Sequence, residues 1–165
     1  MSETQKAPVI NGQSVTTLQI GEEFVIVTTK GGSESAERIV LSMGSVKTAK
    51  YFRHSPPTES EMETAIQLVE DELIRHHHSI VKGAVLTTTD ASVRNIAWLG
   101  GVDDRPDLTL TIELVEKTFN RLAAIVQGRP TSLDSIPTTA EFSATLLILR
   151  EFMHHLEFAS IDIRP

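Results

Sequence analysis

A Pro-Pro pair at Pro56-Pro57 divides this chain, and what lies on either side of it restricts the fold more than any other feature. Before it come three short β-rich runs, 15–20, 24–29 and 38–43, separated by Gly21-Glu22 and by Lys30-Gly31-Gly32-Ser33. Such separators are turn chemistry, so the runs predict an antiparallel meander of hairpins. After it, Thr58 and Glu61 have the spacing of a capping box, and Met62, Ala65, Ile66, Val69 and Leu73 fall on one helical face. A helix with that stripe has to bury it against a sheet or another helix.

The remainder alternates. A β run at 84–88 leads through Thr89-Asp90 into a short helix at 91–99, closed by Gly100-Gly101. A helix is predicted over 111–127, with Val115, Leu122, Ile125 and Val126 inside, and Gly128-Arg129-Pro130 ends it. Another spans 139–155, and 158–163 reads as a closing strand. Strands followed by alternating helices and strands predict an α/β fold: a mixed five-stranded sheet, antiparallel meander plus parallel strands, packed by helices. The chain has 165 residues, enough for one domain with a full core, read as 14–165 behind a flexible tail at 1–13.

Composition narrows the partners. The formal charge is -7, and Lys and Arg are scattered, so no basic field is expected to draw nucleic acid. Cysteine is absent, which excludes disulfides, thiolate metal sites and cysteine nucleophiles. No run approaches the ~18 apolar residues of a membrane span and no signal-type segment opens the chain, so a soluble, cytoplasmic protein is expected.

Local chemistry is sparse. Lys30-Gly31-Gly32-Ser33 lies between two β runs, the place of a hairpin turn and not of a P-loop. His76-His77-His78 and His154-His155 end two helices, where imidazoles suit the helix dipole and solvent; neutral imidazoles can bind Zn or Ni, but adjacent histidines point in different directions, so a run is not itself a three-ligand site. Glu59, Glu61, Glu63, Glu70, Asp71 and Glu72 read as a solvated helix face, and Trp98 as a residue packed against the sheet.

The order of elements resembles the actin-like, ribonuclease H-like phosphotransferase fold, and more narrowly the second lobe of the exopolyphosphatase and guanosine pentaphosphate phosphatase (Ppx/GppA) family. Leu41-Ser42-Met43-Gly44-Ser45-Val46 sits where that family has a Leu-Gly-Ala-Val type turn, and Pro56-Pro57-Thr58 begins the helix that follows. Leu110-Thr111-Ile112-Glu113 is similar to the family's Leu-Thr/Ser-x-Glu helix start, and 140–153 to its penultimate helix. The resemblance covers 15–163.

The departures fall on the family's chemistry. Its Asp-x-Gly-Gly-Gly-Ser-x-Glu loop, a cradle of backbone N–H groups for phosphate, corresponds here to Gln19-Ile20-Gly21-Glu22-Glu23. Its Gly-Gly-Thr turn aligns with Thr87-Thr88-Thr89-Asp90, where Asp90, as a cap, is expected to occupy the helix N–H donors itself. Its Arg-Ala-Asp becomes Thr139-Ala140-Glu141, and the lobe that supplies the family's catalytic carboxylate has no counterpart in these residues.

Two readings follow. The first is a non-catalytic exopolyphosphatase-related interaction or regulatory module, working through the face left by the missing lobe as a homo-oligomer or with a protein partner. The second is a phosphate, nucleotide or polyphosphate binder, or a phosphatase component needing a second chain, with Gly21, Thr87, Thr88, Thr89, Asp90 and Ala91 around the anion and Mg as the accompanying ion. No catalytic residue is assigned under either.

Overall fold

The structure is a computed structural model and describes residues 12–31 and 35–165. Residues 1–11 of the expected tail, and Gly32 and Ser33 of the expected hairpin turn, lie outside the described residues.

A six-stranded sheet has the order β3-β2-β1-β4-β6-β5. β1 (Val15–Ile20), β2 (Val25–Lys30) and β3 (Glu37–Leu41) form the expected antiparallel meander. β4 (Val85–Thr88) runs parallel to β1, and β6 (Ser160–Ile163) runs parallel to β4. The sixth strand, β5 (Leu108–Thr111), closes the far edge antiparallel to β6, where five strands were expected. Leu108-Thr109-Leu110-Thr111 alternates at period two, but it passes into the next helix with no loop. Thr111 both ends the strand and caps α4 (Ile112–Val126), its hydroxyl accepting the Leu114 N–H. The strand signal is therefore absorbed into the helix start.

Alternation fixes which sheet face is buried. Thr16, Leu18 and Ile20 of β1 and Val25, Val27 and Thr29 of β2 point into the core, where the Thr16 and Thr29 hydroxyls bond each other at 3.0 Å. On the opposite face one straight row crosses all six strands, Arg38-Thr28-Thr17-Thr87-Asp162-Thr109. Every member is polar, and Arg38, Thr17 and Thr109 are exposed. Mixed sheets with antiparallel arms tolerate one wet face, and this row is what such a face requires.

Five α-helices complete the fold among the described residues. α2 (Glu59–His76) starts at Thr58 with both capping-box bonds in place: Glu61 N–H to the Thr58 hydroxyl at 3.2 Å, and Thr58 N–H to Glu61 Oε1 at 3.0 Å. α3 (Ala91–Leu99) follows β4 directly. α5 (Ala140–His155) is the centre of the molecule, with every residue from Ser143 to Leu149 buried. A helix apolar all round belongs inside, and α1, α2, α3 and α4 all pack on this one. Trp98, expected against the sheet, instead points outward from α3 and is 63% exposed, because Val93, Ile96 and Ala97 already fill that helix's inner face.

α1 (Ser45–Ala49), unexpected from the sequence, is five residues with no apolar period of its own. It exists because another turn completes it. Ser45 N–H donates to the Gly21 carbonyl at 2.9 Å, and the Val46 and Lys47 N–H groups donate to the Glu22 carbonyl at 3.0 Å each. The approach is close enough that a Cβ on Gly44 would stand 2.3 Å from the Glu22 carbonyl oxygen.

Candidate functional site at the carboxyl ends of β1 and β4

In open α/β sheets the carboxyl ends of parallel strands form the natural binding edge, since loops and helix N-termini collect there. In this chain that edge holds the Gly21–Phe24 turn after β1 and Thr89-Asp90 between β4 and α3. The structure places these two segments side by side. β1 and β4 are neighbours, and the Ile20 N–H donates to Asp90 Oδ2 at 2.6 Å.

The donors at this edge are largely engaged. The Gly21 N–H bonds the Phe24 carbonyl at 2.9 Å, closing the turn. The carbonyls of Gly21 and Glu22 are occupied by the start of α1, so this turn offers that helix acceptors and cradles no anion with its N–H groups. Glu22 and Glu23 project outward and are exposed. In β4, the Thr87 hydroxyl lies 3.3 Å from that of Thr17, and the Thr88 hydroxyl accepts the Asp90 N–H at 3.1 Å. The Thr88 carbonyl accepts from Arg164 N–H at 2.9 Å, which ties the chain's end to the same edge.

Asp90 differs from expectation. It occupies the N-cap position of α3, yet its side chain makes no capping bond; it reaches across to β1 instead. Burial raises its carboxyl pKa above the ordinary 3.8, and the Ile20 N–H pulls it back only in part. The N–H groups of Ala91, Ser92 and Val93 therefore begin α3 without a side-chain cap. Thr89 and Ala91 are exposed. A cavity of about 390 Å³ on the neighbouring strands is lined by Asp107, Leu108, Thr109, Asp162, Ile163 and Arg164, and takes in none of the six expected residues.

Two further sequence readings change. The acidic run on α2 is not uniformly solvated: Glu72 is 6% exposed, and its Oε1 accepts the Ser42 N–H at 2.8 Å while Arg75 meets Oε2 at 2.8 Å. This carboxylate anchors α2 to the end of β3, a role no local spacing announces. Of the histidines, His155 is not solvent-facing but half-buried between carboxylates of α2 and α5.

Comparison with known proteins gives the fold a context. No family model and no curated protein sequence matches this chain. Among solved structures, it superposes on the Ppx/GppA phosphatase of Aquifex aeolicus, type II variant, with a TM-score of 0.74 at 17% identity over 92% of this chain and 53% of that one. An exopolyphosphatase from Cytophaga hutchinsonii matches with a TM-score of 0.70 at 11% identity, over 94% of this chain and 54% of its own length. An exopolyphosphatase-like protein gives 0.68 at 12% identity, over 96% and 57%. The chain spans about half the length of these proteins. It therefore has the fold of a single lobe of the Ppx/GppA exopolyphosphatases.

Proposed function

We propose that this chain is a non-catalytic relative of the exopolyphosphatase fold, an interaction or regulatory module that docks a protein partner or a second copy of itself beside the β1–β2 turn. The observation that carries the reading is the internal use of the turn: Ile20 and Gly21 N–H groups are bonded within the lobe, and the carbonyls of Gly21 and Glu22 complete α1. Removing one preorganised donor from a reacting oxyanion costs about 100 to 1,000-fold in rate, and here several are withdrawn together. The exposed Glu22 and Glu23 add repulsion for a phosphate.

The same corner carries exposed apolar surface. Phe24 is 51% exposed and Val40 44%, and Val40 pairs with Ile26 across β2 and β3. Phe24 immediately precedes β2, with Lys47 of α1 5.8 Å from its ring. Contiguous apolar surface beside polar sheet residues is the kind of patch that partners cover. The reading places the protein in the cytoplasm. Sedimentation velocity at high micromolar concentration, with the charge-introducing double variant Phe24→Glu/Val40→Glu, tests it. Self-association or a co-purifying protein that the variant loses supports the reading, whereas a strictly monomeric protein with no partner contradicts it.

One observation favours the second reading. Because Asp90 turns to Ile20, the first N–H groups of α3 carry no side-chain cap, and a helix N-terminus attracts anions. Phosphate would then sit at Ala91 with the exposed Thr89 hydroxyl, Gly21, Thr87 and Thr88 behind it, and Asp90 holding Mg. Stoichiometric, Mg-dependent binding of pyrophosphate or polyphosphate, lost in Thr89→Val, would establish it.

A further inference from the structure

We propose that Glu70 of α2 together with Glu151 and His155 of α5 forms a binding site for one divalent transition-metal ion, zinc in the first place. Glu151 and His155 are i, i+4 on α5 and so share a helix face, and Glu70 reaches them from the facing helix. Nε2 of His155 lies 3.1 Å from Glu151 Oε2 and 3.3 Å from Glu70 Oε1. All three atoms are within 4.8 Å of one another. Zinc bonds to nitrogen and oxygen of ~2.0–2.1 Å, tetrahedrally arranged, separate neighbouring ligand atoms by roughly 3.3–3.4 Å; the 3.3 Å to Glu70 matches that spacing, and the 3.1 Å to Glu151 needs only a small opening of the cluster.

Hydrogen bonding within the cluster leaves it incomplete. A single Nε2–H cannot serve both carboxylate oxygens well, yet it is the hydrogen-bond partner of both Glu70 Oε1 and Glu151 Oε2 among the described residues. Glu151 is 2% exposed, so its carboxylate is largely shielded from solvent and depends on its protein partners. Around this point stand Glu70, Glu116 and Glu151 against the guanidinium of Arg150 and two imidazoles, His154 and His155. A divalent cation in place of the Nε2 proton supplies the missing charge and satisfies both oxygens at once.

The surroundings orient the ligands as outer groups of metal sites do. Arg150 Nη1 holds the other Glu151 oxygen, Oε1, at 2.6 Å, which leaves Oε2 directed at His155. Its Nε bonds Glu116 Oε2 at 3.0 Å, and its guanidinium lies 4.4 Å over the Phe119 ring, so the arginine is fixed from three sides. His155 and Glu70 are about a third exposed, which gives the ion an entry and leaves a fourth position for water. One imidazole with two carboxylates suits zinc, cobalt or nickel better than calcium or magnesium, which take more oxygens or keep several waters.

The test uses the full chain, treated with chelator and dialysed. Because His76, His77 and His78 could take up zinc at the surface, their triple Asn variant serves as the background. Titration calorimetry with zinc chloride is expected to show one ion per chain, and thermal unfolding to shift upward with zinc and not with magnesium. In that background, Glu70→Gln and His155→Gln are each expected to weaken binding by at least about tenfold, with circular dichroism showing a folded chain. These two positions are half-buried, so they avoid the folding risk of Glu151. Substitution by cobalt adds a readout, the visible bands of a tetrahedral centre, lost in the same variants. No zinc uptake by the background protein, or uptake unchanged by both substitutions, would overturn the proposal.

Discussion

At the scale of single residues, Gly44 and Asp90 hold the candidate edge in its present form. Gly44 lets the start of α1 press on the β1–β2 turn: a Cβ there meets the Glu22 carbonyl oxygen at 2.3 Å and the Glu23 nitrogen at 2.7 Å, all backbone that cannot swing aside. Gly44→Ala should cost about 1–3 kcal/mol, the usual range for overpacking, read as a lower urea midpoint at constant slope. Asp90 separates charge from hydrogen bonding. Its pKa is raised in the fold, so the folded state binds the proton more tightly and stability falls as pH rises through the carboxylate range. Asp90→Asn keeps an acceptor for the Ile20 N–H without the buried charge and should leave stability at pH 7 unchanged or higher. Asp90→Ala leaves that N–H unpaired and should cost on the order of 1 kcal/mol. Equal destabilisation by the two variants would contradict this account of Asp90.

At the scale of elements, α2 and α5 are held by different forces. The start of α2 rests on Glu61, whose carboxylate accepts the Thr58 N–H and the Arg53 N–H at 2.5 Å. Those two backbone bonds lower its pKa from 4.5 to about 2, so its contribution is complete above the ordinary value and is lost as pH falls toward 2. Glu61→Gln should flatten the acid limb of the stability curve in that window, measured by denaturant unfolding from pH 2 to 7. α5 rests mainly on apolar packing along its middle, with a Thr139 cap and the Arg150 and His155 contacts at its two ends. Leu147 is fully buried in the middle of the core, and Leu147→Ala should cost about 2–5 kcal/mol in chemical unfolding. The elements themselves were readable in proportion to how local their causes are. The Thr58–Glu61 box, the β1 alternation and the α3 span match the structure because each is decided within a few residues. α1 and β5 were not read: α1 needs carbonyls from a turn some twenty residues earlier, and β5 needs the edge of β6. Glu72 and His155 were misjudged as solvent-facing for the same reason, since their partners Ser42 and Glu70 lie on other elements.

At the scale of the whole molecule, one sheet with a polar open face is wrapped on its other side around a buried central helix, in the fold of about half an exopolyphosphatase. No helix among the described residues is long and apolar enough to cross a membrane. The fold is shared with those structures at only 11–17% sequence identity. The adjacency of the two candidate segments was legible, since Gly21 and Asp90 lie at the ends of neighbouring strands. Their hydrogen bonding was not, because whether a backbone N–H is free depends on turns and side chains converging from β1, β4 and α1. The direct measurement is titration calorimetry of the chain with phosphate, pyrophosphate, polyphosphate, ADP, ATP and ppGpp, each with Mg. An edge whose β1–β2 turn donors are engaged internally should give no binding heat with any of them, even though the first N–H groups of α3 carry no side-chain cap. Stoichiometric binding of even one, abolished by Thr89→Val or Asp90→Asn, would contradict the account.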